Sequence, residues 1–541
     1  MKRFAALVFA LLSVPSIAIA QAAEPSNERP SAMLALVVTD ANGRHVPSLT
    51  KDDIELSIGG TPVDLATFNE RGAGGVPAGE MRRIAVLFDL GNLSMGARRQ
   101  ASTALHGFLG RTLRPGDLVV VLAGGPTLRA MTSWTSNLAV IDGALERVSG
   151  ESSPTFANSQ AAAEKRIREI ATDIQQSDSR GHTLYTFDAL IDSARAYAAA
   201  RYRDAEQSLS SISTAVSLFT PRTRNVLIIA GGSLPRLPGA GVFQYVETLR
   251  NSSLRGARGV AMAKGAQFSS PMGESAAFDL TPLFDTVSTR AWRRGVAVYS
   301  VSSEQFKDSG GGSESQQAAD SLAAFTNEAG RFEGYQLLAG KTGGVAFAGR
   351  FADDALNRIA SDLESFYTVG VHPTAPISGR DALAVKVRNG YSVRVLRGSA
   401  GMGTPADEME SRVVANHMVK TASDNALGIS LNVAPPVAEG ERRFVMVDVN
   451  IPIRNLKFVP EGSEVAGAFT VFISTGDAAG NASTVNRQRK EIHWPADVLT
   501  QSGDKTLTFR VNVVLEPGRS QISIGVMDEK SHAKGFDRVS V

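Results

Sequence analysis

The chain has 541 residues, 43% hydrophobic and 20% charged, which is too apolar for wholesale disorder and long enough for about three or four domains. Lys and Arg number 56 against 54 Asp and Glu, so a strongly basic polyanion-binding face is excluded as the default and no nucleic-acid partner is expected. The absence of cysteine excludes thiol nucleophiles, zinc–cysteine clusters, iron–sulfur centres and disulfides.

Residues 1–20 have the anatomy of a signal peptide. Lys2 and Arg3 precede an apolar run from Phe4 to Ala20, broken by Ser13, Pro15 and Ser16, and Ala18-Ile19-Ala20 fits a small-x-small cleavage site. An uncleaved anchor is the alternative. No later segment is apolar for 18 unbroken residues, so no stable membrane span is expected after cleavage. Export without disulfides points to a bacterial periplasm or exterior.

A polar leader, 21–31, runs into a β preamble over 33–70. There Asp40-Ala41-Asn42-Gly43 reads as a turn, and Gly59-Gly60 closes a hairpin whose second strand is Val63 to Phe68. From about 80 to 400 the pattern becomes strand then helix. Ile84 to Phe88, Leu118 to Leu122, Asn225 to Ala230 and Val296 to Val301 are short continuous apolar runs, as expected for strands buried on both faces. Helical spacing over 95–112, 138–148 and 352–366 alternates with them. The fold class is therefore α/β, with a doubly wound, mainly parallel sheet. Residues 150–222 interrupt it as a helical insertion, Ala161 to Gln176 and Phe187 to Phe219. Residues 303–318 read as a polar loop. Leu383 to Val387 and Tyr391 to Val395 flank Arg388-Asn389-Gly390 as a hairpin. Residues 398–408 read as a linker. Six candidate strands between Leu427 and Asp528 predict an immunoglobulin-like β-sandwich over 405–541.

The most informative segment is Ile84 to Ser94, IAVLFDLGNLS. In open α/β sheets ligands sit beyond the carboxyl ends of the strands, which is where Asp89 falls. Together with VVTDANGRHVPSLTKDDIELSIGGTPVDLATF (37–68), LRPGDLVVVLAGG (113–125), TPRTRNVLIIAGGSLP (220–235), RRGVAVYSV (293–301) and DLESFYTVGVHP (362–373), it resembles a von Willebrand factor A domain of the secreted, acidobacterial-type VWFA-related family. The resemblance spans roughly 34–398. It implies protein–protein interaction and, where the site is intact, a metal-ion-dependent adhesion site. That site places Asp-x-Ser-x-Ser after the first strand, a Thr from a later loop and an Asp after a central strand around Mg²⁺, which takes six hard oxygens.

Carried over residue by residue, Asp89 matches the first Asp. Gly91 and Leu93 stand at the two Ser positions. Asn92 and Ser94 are polar but out of register by one, Thr183 or Thr186 is the candidate Thr, and Gly231 replaces the later Asp. The metal candidates are therefore Asp89, Ser94 and Thr183, in a degenerate site with no cofactor expected. Partner contact is expected at Asp89, Asn92, Ser94, Gly231 and Ser233. The seven histidines lack metal spacing, and Gly231-Gly232-Ser233 lacks the second glycine of a nucleophile elbow. Met81-Arg82-Arg83 and Arg293-Arg294 read as solvated charges at strand starts. The expected function is an exported, non-catalytic binding protein. The alternatives are an envelope or matrix component acting through the β-sandwich, and a carboxylate-based hydrolase.

Overall fold

A computed structural model describes residues 32–71, 82–125, 128–151, 157–180, 187–219, 224–254, 270–302, 329–347, 352–373, 377, 380–397, 405–418, 425–461, 464–477, 482–483, 485–495, 497–498 and 505–541. The expected signal peptide over 1–20, the stretch 303–318 read above as a polar loop, and Thr183 with Thr186 lie outside the described residues.

The first strands are β1 (Ala32–Thr39), β2 (Ile54–Ile58), β3 (Thr61–Pro62) and β4 (Leu65–Arg71). The α/β run follows with β5 (Arg82–Asp89), α1 (Met95–Thr112), β6 (Leu118–Gly124), β7 (Arg129–Ala130), α2 (Leu138–Gly150), α3 (Ala157–Arg180), α4 (Phe187–Ser217), β8 (Arg224–Gly231) and α5 (Ala240–Leu254). It continues through α6 (Pro271–Ser275), α7 (Thr281–Arg293), β9 (Val296–Ser302), α8 (Glu333–Thr342), β10 (Ala346–Phe347) and α9 (Ala352–Glu364). These strands form one six-stranded sheet in the order β10-β9-β8-β5-β6-β7, parallel except for β7 at its edge. The chain winds outward from β5 to β7, then returns to the other side of β5 with β8, so a crevice opens between the carboxyl ends of β5 and β8.

Period-two alternation explains the unbroken apolar runs. Ile84, Val86 and Phe88 face a core with α1, α2 and α9. Ala85 and Leu87 face the other core, with α4, α7 and α8. Both faces are covered, so neither set is polar.

The helical insertion is only half an insertion. Ala205, Leu209, Ile212 and Val216 of α4 pack on the sheet, so its second half is one of the covering helices. At 31 residues α4 is about 46 Å long, roughly twice an eight-residue strand. Its first half therefore overhangs, packing Leu190, Ala194 and Ala198 against Ile167 and Ile170 of α3 and Phe243 and Val246 of α5.

The preamble does not fold by itself. After β11 (Phe366–Val371), β12 (Leu383–Val387) and β13 (Ser392–Arg397), the chain closes a four-stranded antiparallel sheet, β13-β1-β11-β4, and a three-stranded one, β12-β2-β3. The two expected hairpins are corrected accordingly. Only Thr61 and Pro62 return on β2 after Gly59-Gly60, while β4 pairs with β11. Likewise β12 pairs with β2 and β13 with β1. A core lies across the sheets, among Leu34, Leu36, Val38, Ile54, Leu56, Tyr367 and Val395, while Ala35 and Val37 on the other face of β1 join the core under α1 and α9.

The expected linker over 398–408 is corrected in part, because Pro405 already begins α10 (Pro405–Met418). The β-sandwich follows: β14 (Ser430–Val433), β15 (Val437–Glu439), β16 (Arg442–Pro452), β17 (Val459–Glu461), β18 (Glu464–Gly476), β19 (Asn486–Pro495), β20 (Thr506–Leu515), β21 (Gln521–Asp528) and β22 (Lys534–Ser540). One sheet has β16 flanked by β20 on one side and by β14 and β15 on the other. The second runs β19-β18-β21-β22, with β17 on β18. Val445, Val447 and Val449 meet Phe469, Val471, Ile522 and Ile524 between them. The outer face of β18 and β21 is also buried, under Met409 and Val413 of α10, which is why these two strands lose their polar alternation.

Candidate functional site

Asp89 ends β5 and is 7% exposed. Three donors converge on its Oδ2: Asn92 Nδ2 at 2.8 Å, Ser208 Oγ at 2.9 Å and Tyr335 Oη at 3.4 Å. Asn92 Nδ2 also donates to Ser208 Oγ at 3.1 Å, which closes the cluster. Burial raises the Asp89 carboxyl above its ordinary value, the three donors offset part of that rise, and Asp204 on α4 adds to it. Burial and the neighbouring Asp89 push the Tyr335 phenol well up, so it remains a donor.

The loop between β5 and α1 owes its shape to Arg98. This guanidinium is buried at the start of α1 and donates to Leu93 O at 3.0 Å, Leu90 O at 2.7 Å and Glu151 O at 2.6 Å. Two loop carbonyls are thereby turned inward, and Asn92, lying between them, is presented to Asp89. Ser94 is the N-cap of α1, and its Oγ accepts from Ala97 N at 3.2 Å. Ser94, expected as a ligand, is thus engaged as a helix cap.

Gly231 at the end of β8 and Gly232 just after it set how closely the walls approach. A Cβ on Gly231 would lie 2.1 Å from Tyr335 Oη, and one on Gly232 would lie 2.2 Å from Asn92 O. Where the resemblance places a second Asp, the missing side chain makes room for a phenol. Ser233 is part-exposed and accepts from Arg201 Nη2 at 2.9 Å. Beside it lies a cavity of about 150 Å³, lined by Arg201 on α4, Gly239 and Val242 at the start of α5, and Arg331 before α8.

These donors do not fit a divalent ion. Mg²⁺ requires six oxygens in a rigid octahedron. Asp89 supplies the one carboxylate of the cluster, Asn92 turns its amino group inward, and Tyr335 and Ser208 spend their protons on Asp89. Among the described residues no group of three or more His, Cys, Asp or Glu could hold a metal. Of the candidates for partner contact, Asp89 and Gly231 are buried, Asn92 and Ser233 are part-exposed and Ser94 is exposed. Sequence reasoning missed Ser208, Tyr335, Arg98 and Arg201. The available signal was helical spacing on α4, where Arg201, Ala205 and Ser208 recur at i, i+4 and i+7 and share one face.

The expectation of solvated arginines at strand starts is corrected for two of the four, since Arg293 is exposed and Arg83 part-exposed but Arg82 and Arg294 are not. Arg82 is buried and paired with Asp117, and Arg294 is 1% exposed and pairs with Glu410 at 2.9 Å. A planar guanidinium tolerates such burial when carboxylates and carbonyls meet its donors.

No family model and no curated protein matches the sequence. Among solved structures, a von Willebrand factor type A protein from Catenulispora acidiphila aligns over 95% of this chain and 74% of its own, at 8% identity and a TM-score of 0.23. The pilus adhesin SpaC from Lactobacillus rhamnosus GG aligns over 95% of this chain at 9% identity and a TM-score of 0.25, and this chain spans 61% of it. A structural-genomics target, SoR45, aligns over 21% of this chain and 83% of its own at 12% identity, with a TM-score of 0.14. Likenesses this slight carry no argument, and the architecture stands on its own strand order. No helix among the described residues is long and apolar enough to cross a membrane.

Proposed function

We propose that this chain is an exported, non-catalytic binding protein of the VWFA-related kind. Its parallel sheet docks a protein partner on the rim of its carboxyl end, around Asn92, Ser94 and Ser233, without a metal ion. One observation carries the reading: Oδ2 of the carboxylate at the switch point already accepts from donors on three different elements, none of them a cation. A partner's carboxylate has no cation to complete there, so affinity comes from shape and hydrogen bonding at the rim. Met95, 44% exposed beside Ser94, supplies an apolar contact. Export rests on Lys2, Arg3 and the apolar run to Ala20. Asp89 and Tyr335 are two titratable groups within hydrogen-bonding reach, the pattern a hydrolase would need. Both are buried, however, and neither lines the adjacent cavity.

A second reading has its own observation. Val437, Phe444 and Val514 are exposed apolar residues paired across β15, β16 and β20, so the outer face of one sandwich sheet carries an apolar ladder. Capture of partners from an envelope fraction by Met95→Glu and Phe444→Glu variants separates the two readings. The rim reading expects loss with Met95→Glu alone, and loss with Phe444→Glu alone overturns it. Calorimetric titration of Mg²⁺, Mn²⁺ and Ca²⁺ tests the metal-free claim. Micromolar binding that disappears in Asp89→Ala overturns it.

A further inference from the structure

We propose that the seam between the α/β unit and the β-sandwich is a binding site for a compact oxyanion bearing two negative charges, with Arg290 and Arg293 as its uncompensated cations. A cavity of about 520 Å³ opens there, lined by Asp285, Arg290 and Arg293 of α7, Arg294 just after it, Glu410 of α10 and Arg487 of β19. That volume is in the range of small-molecule sites.

The charges in the wall decide the ligand. Glu410 is spent twice, accepting from Arg294 Nη2 at 2.9 Å and from Arg487 Nε at 2.7 Å. Asp285 accepts from Lys341 Nζ at 2.7 Å. Arg290 gives one N–H to Ser213 Oγ at 2.9 Å and has no carboxylate partner, and Arg293 forms no ion pair among the described residues. Among the described residues four guanidinium groups thus line a cavity whose two carboxylates are already engaged, and Arg290 and Arg293 touch neither of them. The carboxyl end of a helix carries roughly half a negative charge and attracts basic residues to its last turn. That accounts for a cation on α7; it does not gather Arg487 from a strand of the other unit into the same cavity.

Arginine forks bind carboxylate and phosphate oxygens in pairs, which sets the ligand class as an oxyanion. Among the described residues no aromatic side chain lines the cavity, so a nucleobase would have nothing of theirs to stack on. Such an anion would touch both α7 and β19 and so join the two units.

Calorimetric titration of the purified full chain with inorganic phosphate, and separately with succinate, tests this at matched ionic strength. One saturable site for at least one of them is expected, and the arm that binds more tightly tells a phosphoryl ligand from a dicarboxylate. Arg293→Gln should weaken binding at least tenfold, whereas Arg510→Gln, an exposed arginine paired with Asp448 on the sandwich, should leave it unchanged. Arg293 is exposed and unpaired, so its replacement leaves the fold intact. Absence of saturable heat with both anions overturns the proposal, as does equal binding by Arg293→Gln.

Discussion

The two ends of the parallel sheet treat a buried aspartate in opposite ways. At the carboxyl end, Asp89 meets only neutral donors. Toward the amino end, Asp362 of α9 is gripped by Arg394, whose Nη2 lies 2.6 Å from both carboxylate oxygens, with Arg358 at 3.4 Å and Tyr299 Oη at 3.2 Å. Arg224, the first residue of β8, donates to the Asp362 carbonyl at 2.7 Å. Burial is similar at the two sites and the counter-charge is not. Asp362 bolts α9 to β9 and β13 as an ion pair, whereas Asp89 closes a loop as a hydrogen-bond acceptor whose charge is disfavoured.

The largest effect should come from cutting the bolt. Asp362→Ala leaves the part-buried Arg394 without its carboxylate, and chemical denaturation should show a loss of about 3 kcal/mol, the lower end for breaking a buried pair because water can reach that guanidinium. A loss no greater than that of an exposed pair such as Arg510–Asp448 would erase the distinction between the two ends. A buried base sharpens the comparison from the other side. His417 on α10 donates from Nε2 to Ser474 O at 3.1 Å, and burial lowers its pKa to about 4. The unfolded chain takes up that proton near pH 6.5 and the folded chain only near 4. Stability therefore falls as pH drops through that window, by up to about 3 kcal/mol, and levels off below it. In His417→Gln that part of the pH dependence should vanish, as unfolding curves between pH 4 and 7 would show.

Next comes the packing of Tyr335 on Gly231. Gly231→Ala should cost about 1–3 kcal/mol, because the new methyl overlaps the phenol. Tyr335→Leu removes the overlapped atoms, so the double variant should lose less than the two single losses added together. Strict additivity would mean that the two residues do not share the site. The smallest effect is expected at Asp89 itself. Asp89→Asn keeps an acceptor oxygen for the three donors and removes a disfavoured charge, so at pH 7 its stability should lie within about 1 kcal/mol of the native chain or slightly above it. Asp89→Ala strands the donors and should cost about 1–3 kcal/mol. An Asn variant as damaged as the Ala variant would show that the charge at this end matters after all.

Much of the fold was legible because period and composition are local. Ile84 to Phe88 could be read as a doubly covered strand because all five residues are apolar, and Asp89 stood out as the first polar residue after them. Six sandwich strands were likewise visible, four in alternation and β18 and β21 as apolar runs, although β15, β17 and β22 were not, being short or weakly patterned. The hairpin at Arg388-Asn389-Gly390 misled because turn residues report a bend, and a bend does not say which sheet each strand joins. The beginning of α10 was hidden by the glycines just before it, in 398–403.

The sequence by itself determined the alternation of β and α units, the covering of both sheet faces, the all-β tail and the position of Asp89 at a strand end, since each follows from side-chain polarity at neighbouring positions. Only the tertiary structure decided what Asp89 touches. Ser208 lies 119 residues away and Tyr335 lies 246 residues away, and neither carries a local signal of its role. The same holds for Arg294 and Arg487, whose meeting at Glu410 depends on how α10 is wedged between two cores. Contacts between distant segments are set by packing of whole elements, and no window of sequence contains both partners.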